Sequence, residues 1–440
     1  MKRYYEKIRC LQKQMDLCEM AALCQGEKYS CLYEIGEEIT IGIGVYAEIS
    51  VTPAEIVITC DGAVNRVKVQ SLCKDLHMAL SRIALKDWRM YGIANFSLAR
   101  FTYGLDRGKE DEELFHFFIP QAEYRISGNE VRFRAIRQED IEVLERKLEN
   151  TLEHKADFLE KVFLNADSVV EYDERYYKGI VAAGVEEIKN GRYQKVILSR
   201  KVPLNGRLDM LKTYVSGREA NTPARSYWCR MQDFEVVGFS PETVAEIDSE
   251  GTVYTFPLAG TRAFTQNTDL NAKLRNELLR DTKEIAEHAV SVKLAQEEME
   301  QVCQRSSVVV TEFMSIMERG TVQHLGSRLR GKLKTNLNAW HALCKLFPAV
   351  TASGIPKREA IEAIGRIEQD GRGLYSGSVM ICDSNGALDA ALVLRSIFQT
   401  AQESWVRVGA GIVDMSKPER EFTETQEKVS CIAGKLVTAK

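Results

Sequence analysis

No stretch of this chain reads as a linker. Its 440 residues hold only nine prolines and show neither a low-complexity tract nor a repeat period, so nothing in it would let two bodies move independently. Two lobes packed closely on each other are expected, residues 1–165 as an N-terminal lobe and residues 166–440 as the second. With 45% hydrophobic and 28% charged positions, the chain can bury a sizeable core.

Charge narrows the function. Lys plus Arg total 59 against 63 Asp plus Glu, a net charge of -4, which gives no bulk attraction toward nucleic acid or an anionic membrane. No run of about eighteen apolar residues occurs. The opening MKRYYEKIRCLQKQMDL alternates charge with bulk where a signal peptide would need an apolar core. A cytoplasmic protein is expected. The 11 cysteines are odd in number, scattered from Cys10 to Cys431 and free of C-x-x-C, which favours reduced thiols over a disulfide framework. The six histidines form no zinc-like spacing.

Hydrophobic periodicity predicts a mixed α/β (α+β) chain. Alternation marks strands over Ile39 to Val51 and Glu55 to Cys60, and a helix is expected over about Ser71 to Asp87. The acidic KEDEEL after Arg107 reads as an exposed loop. From Asp140 to Phe163, the residues Ile141, Leu144, Leu148, Leu152 and Phe158 recur at helical spacing and predict a surface helix joining the lobes. A helix to Asn190, a turn at Gly191 and the strand QKVILSRKVPL follow. One long helix is expected over Asp269 to Cys303, with Leu270, Leu274, Leu278, Ile285, Ala289 and Val292 on one side. The last helix is expected to begin at Ser416, with a Ser416/Glu419 capping box and Pro418 in its first turn.

Several active-site patterns fail. There is no G-x-S-x-G elbow and no Walker A loop. Gly42, Gly44 and Ala47 match G-x-G-x-x-A but lead into more strand, where a phosphate cradle would need a helix. More telling are two carboxylate pairs at i, i+3, Glu284 with Glu287 and Glu421 with Glu424, each projecting from one helix face. Brought together they would make an oxygen-only cage suited to a hard cation such as Mg2+, which takes one or two carboxylates and completes its shell with water or substrate oxygens. The plain alternative is four solvated helix-face charges.

Lys428 shares the face of Glu424, and Arg395 ends the apolar run ALDAALVLR; a helix salt bridge and a strand-end cation would account for both. Gly409 and Gly411 alternate within the strand SWVRVGAGIV, which implies either a bulge or a close approach to the backbone. PLAGTR ends a strand with Gly260 and Thr261, possible donors to a carboxylate. In QKVILSRKV, alternation puts Lys195, Ile197, Ser199 and Lys201 on one side. An apolar flank there would desolvate the Lys195 ammonium and ease loss of its proton, as a general base requires; a solvated strand-start lysine is the alternative. Glu242, in GFSPET, carries the same two readings.

Taken together, GRYQKVILSR, NTPARSYW, GFSPE, PLAGTR, KEIAEHAVSV, VQHLGS, LFPAVTASGIPK, GLYSGSV, LDAALVLRS, GAGIV and PEREFTETQEK resemble the chorismate-utilising enzymes, and most closely the salicylate synthases of siderophore pathways. The resemblance runs from Gly191 to the C-terminus and is loose before it. It implies a single two-lobed chorismate-binding fold, packed β-sheets surrounded by helices, acting as a monomer on a small molecule without nucleic acid or membrane. It implies Lys195 as the base that activates water for attack at ring C2 and Glu242 as the acid for the departing C4 hydroxyl. Glu287 and Glu424 would ligate Mg2+ directly, supported by Glu284 and Glu421. The ion would grip the ring carboxylate with Lys428, Gly260 and Thr261, while Tyr375, Arg395, Gly409 and Gly411 hold the enolpyruvyl carboxylate and His324 lines the pocket. A lysine at 195, where anthranilate-forming relatives usually carry an amide, favours water over ammonia as nucleophile. The implied reaction is chorismate to isochorismate and on to salicylate and pyruvate; release of isochorismate, or binding without turnover, are the alternatives. Phe256 departs from the glutamate expected before PLAGTR.

Overall fold

The protein is described here by a computed structural model covering residues 2–153, 162–320 and 322–439. The alternating segments form strands, and nearly all of these join one of two large antiparallel sheets. Among the described residues, an eleven-stranded sheet runs in the order Tyr5–Cys10, Glu130–Ala135, Ala122–Ser127, Glu38–Ile43, Tyr29–Ile35, Arg225–Met231, Phe234–Ser240, Ser396–Gln399, Ser404–Ile412, Lys195–Leu204 and Gly354–Ile355. The twelve-stranded sheet runs Leu258–Ala263, Val322–Lys332, Thr252–Thr255, Thr243–Ile247, Leu388–Leu392, Ser378–Asp383, Arg89–Ala94, Phe115–Ile119, Ala47–Val51, Glu55–Cys60 and Ala63–Lys68, with Val309–Arg319 pairing on Val322–Lys332. Strands from both sides of residue 165 enter both sheets. Tyr29–Ile35 pairs with Arg225–Met231, and Arg89–Ala94 pairs with Ser378–Asp383.

The sheets meet through a buried cluster rich in rings, among them Tyr33, Tyr91, Phe118 and Tyr227. Tyr33 and Tyr227 stack at 6.4 Å and Tyr91 and Phe118 at 5.8 Å. Gly42 serves this contact: a Cβ there would lie 2.7 Å from the Tyr91 ring. The first glycine of the G-x-G-x-x-A match thus admits an aromatic ring between the two sheets. Helices cover the outer faces over two further apolar clusters. The expected architecture of packed sheets surrounded by helices is the one observed.

Several local expectations are corrected. The helix after Ser71 spans Leu72–Ser81, shorter than the periodicity suggested, because Leu85–Lys86 pairs as a short strand with Lys2–Arg3. The joining helix spans Gln138–Glu153 and buries Ile141, Leu144 and Leu148; Phe158 lies outside the described residues. In KEDEEL, Glu110 turns inward and accepts the backbone N–H groups of Arg372 and Gly373. None of the eleven cysteines, all of them among the described residues, is in a disulfide. No helix among the described residues is long and apolar enough to cross a membrane.

Four strands and three helices carry the candidate site: β1 (Lys195–Leu204), β2 (Leu258–Ala263), β3 (Val322–Lys332) and β4 (Ser404–Ile412), with α1 (Thr282–Val302), α2 (Lys357–Ile367) and α3 (Pro418–Ala433). The single long helix expected over Asp269 to Cys303 is broken. A first piece ends at Leu278, and Asp281 caps α1 by accepting from the N–H groups of Lys283 and Glu284. That break leaves Leu270 exposed. It turns His288, Ser291, Val292, Ala295, Met299 and Val302 inward. The Ser416 capping box does not form: Lys417 occupies the N-cap, Pro418 is the first helical residue, and the Ser416 hydroxyl instead accepts from the Val413 N–H at 3.1 Å.

Candidate active site

Lys195 is the first residue of β1, held between strand Gly354–Ile355 and β4. Its side chain is 8% exposed and its ammonium pairs with Glu287 of α1. The solvated-lysine reading is therefore corrected. β4 makes room for it: a Cβ on Gly411 would lie 3.1 Å from Lys195 Cε. Gly409 meets a different demand, since a Cβ there would approach the Leu198 carbonyl oxygen to 2.5 Å. The β1–β4 register is unbroken past both glycines, so close approach and not a bulge explains them.

Glu242 sits in the turn between strands Phe234–Ser240 and Thr243–Ile247 and is 3% exposed. Its backbone is fixed: the Ser240 hydroxyl donates to its carbonyl at 2.7 Å and Leu392 N–H donates to the same oxygen at 3.1 Å. Its carboxylate accepts from the Thr351 hydroxyl and, at 3.3 Å, from Leu258 N–H. Burial raises its pKa to about 7, against the opposing pull of those two donors and of the Arg395 and Lys195 charges. The Lys195 charge thus acts on Glu242, and Glu242 is about half protonated at neutral pH.

The two acidic helices converge on Lys195. Besides its pair with Glu287, Lys195 is one of the charges that lower the Glu424 pKa. Burial works to raise Glu424, but Lys428 at 2.7 Å, with Arg420 and Lys195, outweighs it. Burial pulls Lys428 the other way, and Glu424 more than restores it, so its pKa is raised. Lys428 also donates to the Gly409 carbonyl at 3.1 Å. Glu421, in the first turn of α3, is raised by burial, the Ser416 hydroxyl opposing and the Glu424 charge adding. Glu284 pairs with Arg262 at 3.0 Å, and Arg262 reaches Asp281 at 2.6 Å. Each glutamate therefore has its own partner, and among the described residues no group of three or more carboxylate, imidazole or thiol side chains is gathered to hold a metal. The four-carboxylate cage is not assembled. The donor chemistry nevertheless fits a hard cation: two oxygen ligands suffice for Mg2+ with water and substrate, and the Lys195 ammonium already pairs with Glu287 while its charge acts on Glu424.

The opposite wall is built on β2 and β3. Gly260, at φ +79°, interrupts the pairing of β2 with β3 between Ala259 and Thr261, a bulge that aims Thr261 at His324. Thr261 Oγ1 lies 3.0 Å from His324 Nδ1, and Arg395 lies 3.3 Å from His324 Nε2. Burial first, then Arg395 and Lys428, lowers the His324 pKa to about 3, so the ring is neutral. Arg395 itself has φ +52°, a left-handed conformation uncommon for a non-glycine residue and characteristic of sites where geometry outweighs local preference. Tyr375 is 2% exposed, and burial raises its pKa against the Arg372 and Lys428 charges.

Beneath Tyr375 lies a cluster absent from the sequence reading. Glu368, 1% exposed, accepts from Ser199 N–H at 2.8 Å and pairs with Arg372 at 2.6 Å and Arg407 at 2.7 Å. Both guanidinium groups stand under the Tyr375 ring, at 5.6 and 5.9 Å. Thr351, Arg262 and Arg372 were likewise not singled out. Thr351 and Arg262 lie within the quoted motifs LFPAVTASGIPK and PLAGTR, which was the only available signal; Arg372 and Glu368 had none.

The profile of the chorismate binding enzymes matches residues 26–434. The chain belongs to that family. It is 39% identical over 418 residues to a salicylate synthase of Mycolicibacterium paratuberculosis (strain ATCC BAA-968 / K-10), covering 94% of this chain and 90% of that one. It is 34% identical over 261 residues to the anthranilate synthase component 1 of Methanothermobacter thermautotrophicus, covering 59% of this chain and 56% of the relative. Two solved structures share the fold: the anthranilate synthase component I from Streptococcus pneumoniae, at TM-score 0.75 and 23% identity over 90% of this chain and 92% of that one, and the menaquinone-specific isochorismate synthase from Escherichia coli, at TM-score 0.74 and 19% identity over 99% and 95%. In this chorismate-binding chain the match begins well before residue 166, as the shared sheets require.

Proposed function

We propose that this chorismate-binding enzyme is a salicylate synthase, converting chorismate through isochorismate to salicylate and pyruvate. The observation that carries this reading is the 39% identity across 94% of the chain to a salicylate synthase. A buried lysine whose charge acts on a buried glutamate with a pKa of about 7 supports the chemistry.

Lys195, once its ammonium has released its own proton, takes a proton from the water that adds at ring C2, and Glu242 gives its proton to the hydroxyl leaving C4. Glu242 suits the task because its pKa of about 7 keeps the donating form populated at neutral pH. Elimination of pyruvate then asks for positioning more than for another acid or base. The dianionic substrate meets Lys428, Arg395 and the Thr261 hydroxyl; the neutral His324 orients the last two. Tyr375 and the backbone at Gly409, Gly411 and Gly260 shape the remaining surface. Glu287 and Glu424 would hold Mg2+ directly, with Glu284 and Glu421 behind them, and the ion would supply the positive charge that fixes the ring carboxylate. Siderophore biosynthesis is the proposed use of the product, in a cytoplasmic monomer.

The test uses purified protein with chorismate and Mg2+, following salicylate fluorescence and pyruvate by a coupled reductase. Equimolar salicylate and pyruvate are expected. Isochorismate without pyruvate would replace this reading with that of an isochorismate synthase, and binding without turnover with that of a chorismate-binding protein.

A further inference from the structure

Strand Val309–Arg319 ends on a half-buried arginine whose charge stands against those of Arg395 and Arg225. The three guanidinium groups are unequally matched. Arg225 is satisfied by Asp389 at 2.6 Å and Glu246 at 2.8 Å. Arg319 and Arg395 pair with no carboxylate among the described residues. Arg319 Nε donates to the Pro241 carbonyl at 3.2 Å and its Nη1 to the Glu318 carbonyl at 3.0 Å. Arg395 donates to the Arg319 carbonyl at 3.4 Å and reaches His324 Nε2 at 3.3 Å. The carboxylate beside Arg319 in sequence, Glu318, is taken by Arg275.

These contacts set Arg319 between the acid and the wall that carries Arg395. Pro241 immediately precedes Glu242 in the sequence, so one hydrogen bond ties Arg319 to the turn that holds the acid. On the other side, an arginine only donates, so His324 Nε2 must accept from Arg395 and the ring carries no charge. The Arg319 charge is one of those that keep it neutral. Burial, then Arg395 and Arg225, lowers the pKa of Arg319 itself, with no acid pulling the other way. Two neighbouring cations and a neutral imidazole, without an acid to match them, are costly until an anion enters. An arginine kept only to close a hairpin gains nothing from standing against two like charges.

We propose that Arg319 is a positioning residue for the enolpyruvyl carboxylate: acting through Arg395, its unmatched charge sets how firmly the site holds that end of chorismate. The role rests on the reading of the pocket as a chorismate site. Chorismate carries two carboxylates, one on the ring at the Lys428 end and one on the arm that leaves as pyruvate. The charges acting on Arg319 are those of Arg395 and Arg225 and not that of Lys428, so its influence falls on the arm. The arm's carboxylate keeps its charge through both chemical steps. An interaction with it is therefore as strong in the ground state as in the transition state, and its loss appears in KM and not in kcat.

Steady-state kinetics on the full-length enzyme with chorismate and Mg2+ tests this role. Arg319→Gln removes the charge and keeps an amide donor for the Pro241 carbonyl. It should raise KM for chorismate roughly tenfold, the scale of one unit charge acting across about 10 Å near a protein surface, with kcat within about twofold of the wild type. Arg319→Lys restores the charge and should restore KM. Competitive inhibition by salicylate, which carries the ring carboxylate alone, should stay as in the wild type. Should Arg319→Gln fail to fold, Arg319→Met keeps the apolar stem without the charge and carries the same expectation. An unchanged KM in a folded variant, a fall in kcat with KM intact, no recovery in Arg319→Lys, or chorismate and salicylate weakened alike would overturn the role. Absence of chorismate turnover in the wild type would instead remove the chorismate reading, a separate failure.

Discussion

At the scale of single residues, Glu242 places catalysis and stability in opposition. An acid whose folded pKa is raised binds its proton more tightly when folded, so the stability it confers is complete below its unfolded pKa and is lost as pH rises through about 7. The donating form follows the same curve, and turnover should decline as pH rises through neutrality; a flat rate between pH 6 and 8.5 would contradict the assignment. Glu242→Gln cannot ionise. It should bind chorismate, lose C4 hydroxyl departure, and melt higher than the wild type at pH 8, where removing the buried charge is worth on the order of 3 kcal/mol at most. At the metal end, Glu424→Gln should raise the Mg2+ concentration needed for half-maximal activity by ~10-fold or more, in keeping with loss of a direct carboxylate ligand; an unchanged titration would dismiss it as a ligand. Lys195 and Glu242 were legible because each stands in a motif whose wording fixes its place. Thr351 was not, since its bond to Glu242 spans 109 positions and leaves no local pattern.

At the scale of elements, the two glycines of β4 separate packing from function. Gly409→Ala should destabilise by about 1–3 kcal/mol, the usual cost of overpacking, because its new methyl meets a backbone carbonyl at 2.5 Å. Gly411→Ala meets only side-chain ends, Lys195 Cε at 3.1 Å and Ile197 Cδ1 at 3.3 Å. It should therefore leave the melting temperature nearly unchanged while lowering kcat; loss of stability from Gly411→Ala with kcat intact would reverse the roles. Glu368→Gln should cost about 3–5 kcal/mol, since it strips the charge from a carboxylate that two buried guanidinium groups share, and thermal denaturation measures it directly. Strand β1 and the close approach at β4 were legible from alternation and glycine spacing. The break before α1 was not: apolar periodicity continues through it, and only the capping bonds of Asp281 reveal it. Ser416 misled for a related reason, because a serine two residues before a proline can cap a helix or bind the preceding turn, and here it takes the Val413 N–H.

At the scale of the whole molecule, packed sheets inside helices were legible from the family resemblance, but the way the halves share those sheets was not. Pairing partners such as Tyr33 and Tyr227 are distant in sequence, and periodicity reports which face a residue shows, never which strand it meets. A chain beginning at residue 166 would expose the edge of Arg225–Met231, and it should aggregate instead of folding; a soluble, cooperative unfolding transition from that fragment would show the two regions to be separable. The same interleaving bears on synthesis. Strand Arg89–Ala94 leaves the ribosome long before its partner Ser378–Asp383 exists, so a nascent chain must carry unpaired, apolar edges through most of translation. Chaperone capacity, more than the rate of elongation, should then set the yield of this enzyme in a cell.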